Sequence, residues 1–143
     1  MIIPDINLLV YAFSPGLPAH AKARRWWQDS LSGDEPVGIP WMVSIGFLRI
    51  VTNPRIFTDY AGLDDALDRI AEWYANPVVV QIDPKPEHFQ ILGRLLRTVG
   101  KGADLVNDAH LAALAIEFDG TIYSADKDFA LFPSAKWINP LKT

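Results

Sequence analysis

Cysteine is absent from the 143-residue chain. That excludes a disulfide framework, a thiolate metal site and a cysteine nucleophile, and it fits a reducing, intracellular compartment. Histidine is scarce: His20, His88 and His110 fall on separate predicted helices, without paired ligand spacing, so each is expected at the surface or in a satisfied contact. No stretch reaches the roughly 18 uncharged apolar residues of a membrane span. The apolar opening, Met1 to Phe13, is interrupted by Asp5 and has no basic region before it and no clear cleavage site after it. A soluble, cytoplasmic protein without membrane attachment is the expectation. No glycine-rich phosphate loop is present, and Ser14, Ser44 and Ser124 lack the Gly-x-Ser-x-Gly context of a serine nucleophile. A basic excess is also missing. The net charge of -4 weighs against a general nucleic-acid binder. Positive charge is nevertheless clustered at Lys22, Arg24 and Arg25, at Arg49 and Arg55, and at Arg94, Arg97 and Lys101. Acids gathered around a cation would lower the net charge without repelling RNA.

What is present is enough apolar material for a core. Half the residues are hydrophobic, and the length suits one domain spanning residues 1–143. Strand and helix patterns alternate, which predicts an α/β fold with a central, mainly parallel sheet of four to five strands flanked by helices. Predicted strands are Met1–Pro4, Val37–Ile39, Val78–Ile82, Thr121–Ser124 and, at an edge, Lys136–Ile138. Val78–Ile82 is the clearest, being β-branched and nearly continuous. Predicted helices are Asn7–Phe13, Ala19–Leu31, Trp41–Thr52, Leu63–Tyr74, Glu87–Val99 and Asp104–Phe118. Asp104 is the N-cap candidate of the last helix, and Gly120 its C′ glycine. The tryptophans at 26, 27, 41, 73 and 137 are assigned to core or interface.

Three acids stand out by location. Asp5 follows one apolar strand, and Asp126 follows another by two residues. Ligands of open parallel sheets bind outside the carboxyl ends of strands, so both would face one crevice. Asp108 lies near the start of a helix that can return to the same edge. Magnesium and manganese ions favour carboxylate and water oxygens, and such an ion can activate water against a phosphodiester. Each acid also has a bland reading. Asp5 could simply cap the following helix. Asp126 and Asp128 could form an Asx-turn. Asp108 could face solvent or complement the helix dipole, although Asp is a mediocre helix former in an Ala-rich segment.

Several segments resemble one family. Met1-Ile2-Ile3-Pro4-Asp5-Ile6-Asn7-Leu8-Leu9-Val10-Tyr11-Ala12 looks like the opening of a PIN domain. Asp108-Ala109-His110-Leu111-Ala112-Ala113-Leu114-Ala115 is similar to its second signature, and Ser124-Ala125-Asp126-Lys127-Asp128-Phe129 to its third. Phe47-Leu48-Arg49-Ile50-Val51-Thr52-Asn53-Pro54-Arg55 and Trp137-Ile138-Asn139-Pro140-Leu141 resemble segments of the mycobacterial-type VapC toxins. The resemblance covers essentially the whole chain. It implies a PIN-like fold and a Mg²⁺- or Mn²⁺-dependent endoribonuclease acting on transfer or ribosomal RNA. It also implies the toxin half of a toxin–antitoxin pair, a homodimer inhibited by a cognate VapB-type antitoxin. Carried over by position, Asp5 and Asp108 are the principal metal ligands, and Asp126 completes the acidic cluster with Asp128 nearby. Asn7 and Ser124 would orient acids or waters.

One departure stands out. Many PIN domains carry a glutamate on the helix after the second strand. Trp41 to Thr52 contains no acid; Gly46 or Phe47 occupies the corresponding place. Asp104, four residues before Asp108, is a substitute candidate. One firmly bound cation is therefore expected rather than two. The missing acid also leaves an alternative, a catalytically silent PIN-like module that binds RNA or protein. An aspartyl-phosphate enzyme is disfavoured, because Asp5-Ile6-Asn7 lacks the second acid of an Asp-x-Asp pair.

Overall fold

The computed structural model describes residues 1–56 and 62–142. Five short strands form one sheet: β1 (Ile2–Pro4), β2 (Val37–Ile39), β3 (Val79–Gln81), β4 (Thr121–Tyr123) and β5 (Lys136–Ile138). Their order is β3-β2-β1-β4-β5, and every pair is parallel. The expected α/β architecture is therefore present, with a fully parallel sheet. Beginning at β1, the chain builds outward to β3 on one side, then crosses back to add β4 and β5 on the other. Such a reversal leaves a crevice at the carboxyl ends of the central strands.

The middle strand β1 is buried along its length and pairs with β4 in register through Pro4↔Tyr123. Towards β2 the register pairing is confined to Ile2↔Val37. Pro4 has no N–H with which to extend that ladder. The β1–β2 pairing thus ends just where the chain turns out of β1 at Asp5.

Helices α1 (Ile6–Phe13), α2 (His20–Ser32), α3 (Trp41–Val51) and α4 (Leu63–Ala75) pack with one another. Helices α5 (His88–Val99) and α6 (Val106–Glu117) form a second group. The division follows from right-handed crossovers, which place connections running in opposite directions on opposite faces of a sheet. Ala109 and Leu111 to Ala115 of α6 are all buried, and the alanines among them let the helix lie close to β4. Ile3, Ile39, Leu111 and Ile122 are essentially inaccessible to solvent. Each such side chain contributes about 1.5–3 kcal/mol through burial.

Two expectations about elements, for Asp104 and Gly120, are corrected, and the expected strand Val78–Ile82 is found as Val79–Gln81 at the sheet edge, with Val80 substantially exposed. Its β-branched run reflects pleat preference more than burial. Asp104 lies in a 3₁₀ turn, Ala103–Leu105, and makes no side-chain cap; Leu105 stands at the N-cap of α6. Gly120 is not the left-handed residue after α6. Asp119 takes that conformation, with φ 49. Gly120 is needed for a different reason: a Cβ there would meet Ile3 Cγ1 at 3.2 Å and the Met1 carbonyl oxygen at 3.3 Å. Close approach to β1, not backbone handedness, requires glycine at this point.

Candidate active site

Asp5 is the first residue beyond β1, and three hydrogen bonds hold it. Its N–H donates to the Tyr123 carbonyl at 2.9 Å. Its Oδ1 accepts from the Ile6 N–H at 2.8 Å, capping α1. Its Oδ2 accepts from the Ser124 hydroxyl at 2.6 Å. The capping reading of Asp5 is therefore correct, and it coexists with a place in the crevice. Each carboxylate oxygen has more than one lone pair, so these bonds leave acceptor capacity free.

Ser124, fully buried after β4, is the hub of this side. While donating to Asp5, its Oγ accepts from Asn7 Nδ2 at 3.3 Å and from the Asp126 N–H at 3.0 Å. The Ser124 carbonyl accepts from Trp137 Nε1 at 3.0 Å. Asp126 then caps the 3₁₀ segment Lys127–Leu131, its Oδ1 accepting from the Asp128 N–H at 2.9 Å. Phe129 and Phe132 anchor the segment in the core. Asp108 enters from the first turn of α6.

One carboxylate oxygen from each of Asp108, Asp126 and Asp128 can be chosen so that all lie within 4.8 Å of one another. Asp5 stands outside that trio yet interacts electrostatically with Asp108 and Asp126. Burial pushes the Asp108 carboxyl up to about 7, reinforced by the charges of Asp126, Asp5 and Asp128. Burial also raises Asp5, while the Ser124 hydroxyl and the Ile6 N–H oppose the rise and Asp126 adds to it. Carboxyls raised by burial, with neighbouring negative charge adding to the rise, mark a site that gains from a cation. The donor set consists entirely of hard oxygens, which fits a Mg²⁺- or Mn²⁺-like ion. The Oδ1 of Asn7 is buried without a hydrogen-bond partner among the described residues, an acceptor left for a water or ligand donor.

These acids line one side of a cleft of about 710 Å³. Asp104 and Asn107 also border it. Met42, Ile45, Gly46, Arg49 and Ile50 of α3 line it as well, with Ile6, Val10 and Tyr11 of α1. This apolar wall was not anticipated. Its signal is a second stripe on α3: Val43, Phe47 and Val51 enter the core, whereas Met42, Ile45 and Arg49 repeat at the same helical spacing on the cleft side. The space at Gly46 is filled by Ile6, whose Cγ1 would lie 3.1 Å from an added Cβ, and Phe47 is wholly buried.

The histidines form another unanticipated arrangement. His88 Nδ1 and Glu117 Oε2 lie 2.7 Å apart, and His88 Nε2 and His110 Nδ1 lie 2.8 Å apart, joining α5 to α6. Burial, and next the adjacent His88, hold His110 below its ordinary value. Sequence separations of 22 and 29 residues hide this network from any spacing rule.

A parallel sheet in this order, with carboxylates gathered beyond β1 and β4, defines an open α/β protein with an acidic site at its strand ends. The PIN domain model matches residues 2–134, and the chain belongs to the PIN-domain family. Within it the chain falls among the VapC ribonucleases, and its activity is that of an endoribonuclease. It is 42% identical over 142 residues to Ribonuclease VapC33 of Mycobacterium tuberculosis, covering 99% of each chain. The fold matches VapBC-1 from nontypeable Haemophilus influenzae with a TM-score of 0.70 at 16% identity, covering 99% of this chain and 100% of that one. It matches Mycobacterium tuberculosis VapC20, described as a sarcin-ricin loop cleaving toxin, with a TM-score of 0.67 at 20% identity, covering 91% and 93%. No helix among the described residues is long and apolar enough to cross a membrane.

Proposed function

We propose that Asp5, Asp108 and Asp126, with Asp128 beside them, hold one Mg²⁺ or Mn²⁺ ion against which this toxin-type ribonuclease hydrolyses RNA. The observation that carries the reading is the convergence of the Asp108, Asp126 and Asp128 oxygens within 4.8 Å, next to Asp5, in a cleft. Bound there, a divalent cation supplies Lewis-acid activation of water and neutralises phosphate charge. Asp5 and Asp108 are its main donors. Asp126, held in its turn by the bond from the Asp128 N–H, would take the proton of the attacking water. Ser124 fixes the Asp5 carboxylate and the backbone entering Asp126 through its three hydrogen bonds. Asn7 presents its unpaired Oδ1 to a water. Asp104 contributes negative charge at the rim.

The substrate is a transfer or ribosomal RNA loop, in keeping with VapC20. The partner is a VapB-type antitoxin, in keeping with the VapBC complexes of the same fold, and the active form on this reading is a homodimer. Purified protein should cut structured RNA with Mg²⁺ or Mn²⁺ and stop in EDTA. Asp5→Ala and Asp108→Ala, at preserved folding, should abolish cutting; cleavage persisting in both would end the proposal. The silent-module alternative, favoured only by the missing acid on α3, requires RNA binding without metal-stimulated cutting and indifferent to Asp5→Ala.

A further inference from the structure

We infer that Arg49 stands where other sites would place a second cation: its guanidinium binds the phosphodiester being cut, opposite a single divalent ion. The inference rests on the proposed function and adds to it a named contact with RNA.

Arg49 is the one Lys, Arg or His among the described residues lining the cleft, where five aspartates also stand. It forms no ion pair with a carboxylate among the described residues. It belongs to α3, a helix without an acid. Arg49 lies one turn beyond Gly46, on the same helix face. The side-chain volume at Gly46 is taken by Ile6, and Phe47 points into the core. A carboxylate at position 46 would have to displace the Ile6 side chain, and the neighbouring wall positions hold Met42, Ile45 and Ile50, so the charge that α3 brings to the cleft is positive.

Electrostatics favours the same assignment. A phosphodiester approaching the carboxylates brings another negative charge to a cleft already lined by five aspartates. One divalent ion offsets two of those charges. A guanidinium on the facing wall offsets the incoming one, and its planar fork suits two phosphate oxygens. Met42, Ile45 and Ile50 line the same wall of the cleft as Arg49. Ile45, 60% exposed, offers a flat apolar contact to the adjoining ribose or base.

The test uses the full-length protein and a fluorescein-labelled RNA stem-loop in EDTA, where no cutting occurs. Arg49→Ala should weaken binding about 10- to 100-fold, the range for a lost charge-assisted hydrogen bond. It should also lower the slope of log K against log salt by about 0.7–0.9. Arg49→Lys should recover part of the affinity but not the cleavage rate, because an ammonium lacks the fork. Mn²⁺ titrated calorimetrically into wild type, without RNA, should bind one equivalent, and Arg49→Ala should leave that isotherm unchanged. Arg49 is exposed, and unchanged circular dichroism and thermal midpoint establish that the variants fold. A wild type that cuts RNA with Mg²⁺, alongside an Arg49→Ala that binds and cuts equally well, overturns this inference alone. Two equivalents of Mn²⁺ in wild type overturn the single-ion claim. A wild type that neither binds Mn²⁺ nor cuts overturns the proposed function, and this inference with it.

Discussion

Replacing Ser124 with alanine removes one oxygen and disturbs three contacts. The most consequential is the 2.6 Å bond to Asp5, because hydrogen bonds to charged groups contribute about 1.5–3 kcal/mol. The Asp126 N–H, 3.0 Å from Oγ, loses its acceptor as well, and so does the weaker Asn7 donor at 3.3 Å. The site borders a cleft, so water re-satisfies part of this deficit. The expected loss is about 2–4 kcal/mol at pH 8 without metal, or roughly 10 °C in thermal midpoint. The sign with pH follows from Asp5. The Ser124 hydroxyl favours the ionised carboxylate, opposing the larger effect of burial. Its contribution is therefore full when Asp5 is ionised and declines as pH falls through the raised Asp5 value. Urea unfolding in EDTA at pH 8 and pH 4.5 measures both quantities, with the smaller loss expected at pH 4.5. A loss under about 0.5 kcal/mol at pH 8, or equal losses at the two pH values, would refute the reasoning.

Metal-free Asp108, raised to about 7, gives the ion affinity a pH dependence: it should climb roughly tenfold per unit below that value and level off above it, with proton release measurable by calorimetry in buffers of different ionisation heat. Because its folded value is raised, Asp108 supports the metal-free fold most below the ordinary carboxylate value, and that support is lost as pH rises through about 7; saturating Mg²⁺ should flatten the profile in chemical unfolding. Gly120→Ala should cost about 1–3 kcal/mol by urea denaturation, since the methyl meets Ile3 and the Met1 carbonyl. Phe129→Ala should cost about 3–5 kcal/mol and also weaken Mn²⁺ binding in calorimetry, because Phe129 anchors the turn that presents Asp126 and Asp128; normal ion affinity in a folded variant would contradict that linkage.

The strand and helix order was legible because each element carries its own period. Trp41 to Val51 and Leu63 to Ala75 begin where the sequence pattern starts them and end within a residue of it. Asp5 and Asp126 were legible as crevice residues because parallel strands deliver their carboxyl ends to one edge. What escaped notice depends on pairs distant in sequence. Nothing local in Val79–Gln81 separates an edge strand from a central one. Nothing near Gly120 announces Ile3. The approach of His88 to His110 and Glu117 arises only once α5 lies on α6. Asp128 was placed near the cluster, and its inclusion in the tightest trio depends on the turn set by the Asp126 cap.

The fit of Ile6 against Gly46 bears on how such a cleft changes over generations. A glutamate arriving at position 46 alone would collide with the residue between Asp5 and Asn7, disturbing the two side chains on either side of it in the cleft. Shrinking Ile6 first would open a hole beside the same residues. Each single step is expected to be harmful and only the double change tolerated, so the identities at positions 6 and 46 should vary together among relatives. A lineage carrying isoleucine and glycine at these positions is thereby hindered from gaining an acid at position 46 by a steric lock, independent of any advantage of the chemistry itself.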